Sequence, residues 1–283
     1  MAGTLGDLVA RHCAHLAYLG RARGTVDQRR WLLRRLATWL APRSLLDPSA
    51  EQLVAFSRRP GRGASARAAE VTHMRGFYRW AHTHGLVERD PTYLLHRPAL
   101  PRRLPRPIPD DRLAVALDRA SARVRPWLYL AAYAGLRCCE IARGRSDDWQ
   151  RDLGVIVVVG KGGDEAAVPV APILADVLDV MPPGWWAPRW DGRPGPLSAN
   201  MVSQHGNRAL RDLGIDDTMH SLRHWCGTQT YRVSGRDIRL TQEMLRHRSP
   251  TSTALYTWVD PGDLAGVAAR LPGLGRRALR AVG

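Results

Sequence analysis

Six side chains between positions 137 and 256 of this 283-residue sequence have the types needed to move a phosphoryl group. Arg137 lies in AGLRCCEIARG, with Glu140 three residues on. Lys161 lies in VIVVVGKGGDEAAVPV. His220 and Arg223 stand three apart in HSLRHW, which puts them on one face of a helix. LRHRSPTSTALYTWV places His247 nine residues before Tyr256. Two guanidiniums can clamp the nonbridging oxygens of a phosphate and stabilise the charge that grows in its transition state. A tyrosine hydroxyl beside that phosphate can attack it and form a covalent ester, splitting the transfer into two steps.

The leaving deoxyribose 5′-oxygen then needs a proton. Arginine holds its protons too tightly to supply one, with a pKa above about 12. A lysine beside two arginines has a lowered pKa and can donate. Lys161 is the single lysine among the 42 basic residues, and this is the role that charge alone cannot fill. Each residue also admits a plainer reading. Lys161 is a solvated turn residue, Arg137 pairs with Glu140 in a buried ion pair, and His220 with Arg223 forms a helix-surface pair. Tyr256 is a packed aromatic with a bonded hydroxyl.

The elements that must position these groups can be read from periodicity. Helical apolar spacing runs through 4–19 (Leu5, Leu8, Val9, Cys13, Leu16, Leu19) and 25–40 (Trp31, Leu32, Leu36, Leu40). A third helix is expected over 47–59, capped by Asp47 with Pro48 at its first position. A fourth, over 65–85, ends at Gly85. Residues 98–109, PALPRRLPRPIP, should be an extended, semi-rigid linker, since proline lacks a backbone donor and disfavours helix in the residue before it. Residues 110–144 read as two helices. Two strands around the Lys161 turn read as a β-hairpin. Ser198 is expected to cap a helix over 198–214, and Ser249 with Pro250 to open one near Tyr256. Trp185, Trp186 and Trp190 read as packing or loop anchors rather than base-stacking groups. The expected division is a helical unit over 1–96, a linker over 97–109 and a second unit over 110–283.

Charge points to a polyanionic partner. The net charge is +16, and residues 1–103 hold 18 arginines against 7 acids, which is +11 of that total. Arg102, Arg103 and Arg106 in the linker, Arg208 and Arg211 on the 198–214 helix, and Arg246 are candidate DNA contacts, although a solvated face explains the helix pair equally well. Four cysteines without a CxxC pair fit a reducing, cytoplasmic setting. No apolar run approaches the roughly 20 residues that span a bilayer. His82 and His84 are too sparse for a zinc site, and no metal ligand set is assigned.

In their order and spacing, GLRCCE, GKGG, HSLR, LRH and Tyr256 resemble the tyrosine recombinase, or phage integrase, family. The resemblance covers nearly the whole chain. It implies a mainly α fold with a small β-sheet, in which a helical N-terminal core-binding domain precedes an α+β catalytic domain. It implies that Tyr256 is the nucleophile, that Arg137 and Arg223 bind the scissile phosphate, and that Lys161 protonates the leaving oxygen. His220 would assist proton transfer, His247 would hydrogen-bond the phosphate, and Glu140 would support Arg137. Neither ATP nor metal would be needed.

The implied partners are double-stranded DNA core sites, clamped on opposite faces by the two domains, with a homo-tetramer on two synapsed duplexes and an accessory directionality factor. The tail over 263–283 would dock on a neighbouring protomer or on its own domain. The first helix begins too early to leave room for an arm-binding domain. Integration of a phage or mobile element is the leading role. The alternatives are Xer-like resolution of chromosome dimers, a type IB topoisomerase-like enzyme, and a DNA-binding regulator without catalysis. Two departures from the family pattern stand out. Arg246 replaces the usual glycine before the second histidine, which could alter the turn or add a phosphate contact. Asp164 and Glu165 follow the hairpin lysine where another basic residue is common.

Overall fold

A computed structural model describes residues 5–100, 105–160, 163 and 165–247. The chain divides into two units that meet in sequence at Arg103 and Leu104. Among the described residues the fold is mainly α with one small antiparallel sheet, as the resemblance implied.

The first unit holds four helices, α1 (Leu5–Tyr18), α2 (Arg23–Leu40), α3 (Ala50–Arg58) and α4 (Ala64–Thr83). Leu32, Leu33 and Leu36 of α2 meet Leu53 and Phe56 of α3 and Met74, Phe77 and Tyr78 of α4, all essentially without solvent exposure. Burying such side chains is what stabilises short helices that would be marginal alone. Tyr78 keeps its hydroxyl satisfied by donating to the Leu45 carbonyl at 3.0 Å. Three residues assigned to the apolar faces are not buried there: Leu5, Leu19 and Trp31 are about half exposed. The Trp31 indole lies under the guanidiniums of Arg35 and Arg62 instead, a placement that suits a ring with a wet edge.

The cap of α3 is Ser49 and not Asp47. Its hydroxyl accepts from Gln52 N while the Gln52 side chain accepts from Ser49 N, a reciprocal box that Asp47 is too far upstream to make. The end of α4 follows expectation. Gly85 at φ +65° lets Leu86 N reach the Ala81 carbonyl at 2.8 Å.

In the second unit, residues 110–144 form three helices where two were expected: α5 (Asp110–Arg119), α6 (Arg125–Tyr133) and α7 (Cys138–Arg143). Strands β1 (Trp149–Gln150), β2 (Val155–Val159) and β3 (Glu165–Pro169) make an antiparallel sheet in the order β1-β2-β3. β1 is too short to leave a period-2 signal. The hairpin register pairs Val159 with Glu165, and Ile156 and Val158 of β2 turn into the core with Val168. Among the described residues four helices follow, α8 (Pro172–Asp179), α9 (Ala199–Asp212), α10 (Met219–Val233) and α11 (Ile238–Leu245).

The core gathers on α6. Trp127, Leu128 and Leu130 are fully buried among Ile141, Ile156, Leu174, Leu210 and Leu222. Part of the expected linker belongs to this core, since Ile108 is buried and its N–H donates to the Ser221 carbonyl at 3.3 Å. The tryptophan-rich loop packs as expected. Trp186 is buried, its carbonyl accepts from Trp127 Nε1 at 2.8 Å, and Trp190 stacks on Trp127. Among the described residues no helix is long and apolar enough to cross a membrane.

Candidate active site

The site grows from the break between α6 and α7. Gly135, at φ +57°, ends α6 in the left-handed region. A Cβ on it would lie 2.8 Å from Leu245 Cδ2 and 3.1 Å from Cys226 Sγ, so only glycine lets this backbone press against α10 and α11. The chain then turns extended, and Arg137 becomes the residue that caps α7 rather than one near the end of an apolar helix. Glu140 sits one turn in. Its Oε2 accepts from Arg137 N at 2.8 Å and its Oε1 from Arg137 Nη1 at 2.7 Å. The carboxylate therefore caps the helix start and aims the guanidinium together. The Glu140 side chain is 2% exposed and that of Arg137 39%, so the anion is buried and the cation opens outward.

Arg223 enters from α10. Asn207 of α9 accepts from Met219 N at 2.8 Å, and the Thr218 hydroxyl accepts from Ser221 N. Those two contacts fix where α10 begins, and with it the face that carries His220 and Arg223. Arg223 is buried and donates to two carbonyls, those of Gly135 and Leu245. It thereby bolts the α6–α7 break to the end of α11.

α11 is opened by Asp237, whose carboxylate accepts from Arg239 N and Leu240 N. Arg246 closes it in the left-handed conformation, φ +52° and ψ +48°, the conformation that a glycine would adopt most easily. His247 follows, tied to Gln242 by its own N–H and by its carbonyl, each at 3.0 Å.

The structure thus brings together Arg137, Glu140, His220, Arg223 and His247. Lys161 and Tyr256 lie outside the described residues, as do Arg102, Arg103, Ser249, Pro250 and the 263–283 tail. Among the remaining candidate DNA contacts, Arg106, Arg208 and Arg211 are exposed, with Arg208 in an ion pair to Asp212 at 3.7 Å. Arg246 behaves differently. Its guanidinium turns inward, to Glu140 and to three backbone carbonyls.

Three arginines against one carboxylate leave a formal charge of 3 − 1 = +2 in this cluster. The charge shapes every neighbour that titrates. Burial, then Arg223, Arg137 and Arg246, hold His247 down at about 4 from 6.5. Burial, His220 and Arg223 bring His224 to about 4 as well. His220 is crowded on one side, and that burial together with Arg223 and Arg137 lowers it too. The His247 and His224 imidazoles are therefore neutral at pH 7 and can accept as well as donate a hydrogen bond. Burial alone would favour a protonated Glu140, but Arg246 and Arg137 outweigh it and hold the acid below its ordinary value.

A cationic, preorganised cluster flanked by neutral imidazoles suits a phosphate whose charge grows during reaction. Among the described residues no group of three or more His, Cys, Asp and Glu could hold a metal ion. The sequence reading missed two features. His224 stacks edge-on against His220 at 4.4 Å, which the i, i+4 spacing could have shown. The inward turn of Arg246 had no local signal.

Residues 111–262 match the phage integrase family. The chain belongs to this family, the tyrosine recombinases. Over 225 residues this tyrosine recombinase is 34% identical to the tyrosine recombinase XerC of Rhodospirillum centenum, covering 73% of this chain and 66% of that protein. Over 286 residues it is 30% identical to the tyrosine recombinase XerC of Chromobacterium violaceum, covering 93% of each. A solved lambda integrase tetramer bound to a Holliday junction shares the fold, with a TM-score of 0.71 at 19% identity over 92% of this chain and 80% of that one. The family match spans the positions of Lys161 and Tyr256.

Proposed function

We propose that this tyrosine recombinase cleaves and rejoins duplex DNA at specific core sites through a 3′-phosphotyrosine intermediate, in the service of integrating or excising a mobile element. The observation that carries the reading is the +2 cluster in which Glu140 and the Gly135 carbonyl gather Arg137, Arg223 and the turn before His247. Arg137 and Arg223 take the nonbridging oxygens, with His247 donating a further bond. The Tyr256 oxygen attacks phosphorus and gives up its proton with help from His220. The bond from phosphorus to the 5′-oxygen breaks as Lys161 hands that oxygen a proton. A 5′-hydroxyl from a partner strand then attacks the phosphotyrosine, restores a phosphodiester and releases the tyrosine. The ester conserves the bond energy, so neither ATP nor a metal enters the sequence of steps.

The DNA partner is supported by the basic surface and by the solved lambda integrase tetramer on a Holliday junction, and a homo-tetramer on two duplexes in the cytoplasm follows from the same reading. Accessory control of direction belongs to it as well. A second reading, resolution of chromosome dimers, is favoured by the XerC relatives. The test starts from a duplex recovered from a random-sequence pool by binding to this chain, nicked near its centre to trap the adduct. The wild-type chain should give a denaturant-stable, protease-sensitive adduct and Tyr256→Phe none. Adduct formation by Tyr256→Phe overturns the reading. Paired duplexes should yield a Holliday junction, and relaxation of plasmid carrying the site without any junction would place the chain with topoisomerases instead.

A further inference from the structure

Arg246 stands where the phosphate-binding site and the end of α11 meet, and its side chain does not face outward as a DNA contact would. It is 11% exposed. Nη2 donates to Glu140 Oε2 and to the Gly135 carbonyl, each at 3.0 Å. Nη1 donates to the Met244 carbonyl at 2.9 Å and to the Ala134 carbonyl at 3.3 Å. Its own carbonyl accepts from Arg137 Nη2 at 3.5 Å. One guanidinium therefore spans residues 134–140 and 244–246, the two segments that present Arg137 and His247. Its backbone adopts the left-handed conformation that an arginine rarely takes, so these bonds form in a turn that its residue type does not favour locally.

We propose that Arg246 is a positioning residue for DNA cleavage: it splits the Glu140 carboxylate between two guanidiniums, so that Arg137 stays turned toward the phosphate and the His247 turn stays locked to the α6–α7 break. Without Arg246, Glu140 has Arg137 as its cationic partner and draws it inward. Shape matters as much as charge. A planar fork reaches four acceptors on two segments, whereas an ammonium on a flexible stem cannot hold that spread of directions. Glu140 is faced by Arg137 from its own helix and by Arg246 from the α11 turn, and Arg223 shares the Gly135 carbonyl with Arg246. Removing Arg246 lets burial raise the Glu140 carboxyl, which shifts the acid side of the cleavage profile to higher pH.

The inference rests on the DNA-cleavage reading, and the experiment separates the two. Single-turnover adduct formation is followed from pH 5 to 9 on the nicked, pool-selected duplex, beside affinity for the intact duplex. The chains compared are wild type, Arg246→Gly, Arg246→Lys, Glu140→Gln and the Arg246→Gly/Glu140→Gln double variant. Misplacement of a catalytic group by an ångström costs up to about 100-fold, so Arg246→Gly is expected to cleave roughly 30-fold slower, with duplex affinity within about threefold. Its acid limb moves up in pH, and Arg246→Lys recovers little. The double variant cleaves no more slowly than Glu140→Gln, because both residues act through one arrangement.

Near-wild-type cleavage by Arg246→Gly or by Arg246→Lys overturns the inference. So do losses that multiply in the double variant, or an unmoved pH limb. If Arg246→Gly alone does not fold, the double variant against Glu140→Gln decides the matter, since it removes the buried charge along with its partner. Absence of any wild-type adduct overturns the cleavage reading itself, and this inference with it.

Discussion

Arg223 shows how much of the site depends on one side chain. It is 2% exposed, and its two terminal nitrogens serve carbonyls on segments 88 and 22 residues away in sequence. Lysine offers a point charge in place of the fork. Arg223→Lys should therefore destabilise the protein by about 1–3 kcal/mol, the range for leaving a buried acceptor unpaired, read as a lower urea midpoint. Adduct formation should fall with it. The histidines give the site a pH signature. His224 and His247 titrate near 4, and His12, buried beside Arg29 in the first unit, near 3, against an ordinary 6.5. A histidine with a depressed native pKa lets the unfolded chain bind more protons, so stability is complete above about 6.5 and is lost as pH falls toward 4. The Glu140 carboxyl, also depressed, adds its own loss further into acid. Urea midpoints should be flat above pH 7 and decline steadily below 6.5. A midpoint that rose on acidification would contradict the buried, neutral imidazoles.

Glycines decide how closely the elements approach. A Cβ on Gly144, just after α7, would sit 2.0 Å from the buried ring of Trp186. That ring is held in place because the Trp186 carbonyl accepts from Trp127, so Gly144→Ala should cost about 3 kcal/mol through overpacking. Gly206 on α9 would direct its Cβ at the Met219 thioether, 2.5 Å away, and methionine can move aside. The gain of roughly 1 kcal/mol in helix propensity offsets part of that strain, so Gly206→Ala should stay within about 1 kcal/mol of wild type. Comparison of the two melting temperatures checks the contrast, and equal losses would contradict it. Gly135→Ala should do more than either. It strains a left-handed position and pushes Leu245 away, so cleavage should fall together with stability. The expected pair of helices over 110–144 became three at this same residue. The apolar spacing runs unbroken through AAYAGLRCCEIA, and only the positive φ of Gly135 splits it.

At the scale of the whole molecule, charge governs association. With a net charge of +16, binding to duplex DNA should release many counterions. Six to ten phosphate contacts would cost about 10³–10⁵ in affinity between 50 and 200 mM salt. A fluorescence titration across that range should give a straight line of log affinity against log salt, and a flat line would rule out the phosphate backbone as the main attractor. Several features were settled in the sequence alone, because they depend on local bonding or residue type. These are the order of Arg137, Lys161, His220, Arg223, His247 and Tyr256 along the chain, the helix capped by Ser198, the Gly85 stop and the hairpin of β2 and β3. The tertiary structure alone decided which charges share Glu140. Arg246 reaches Glu140 across 106 residues and the Ala134 carbonyl across 112, separations that leave no trace in periodicity. A guanidinium looks the same in sequence whether it faces a phosphate or four acceptors of its own chain. Only the packing of α11 against the Gly135 break turns Arg246 inward.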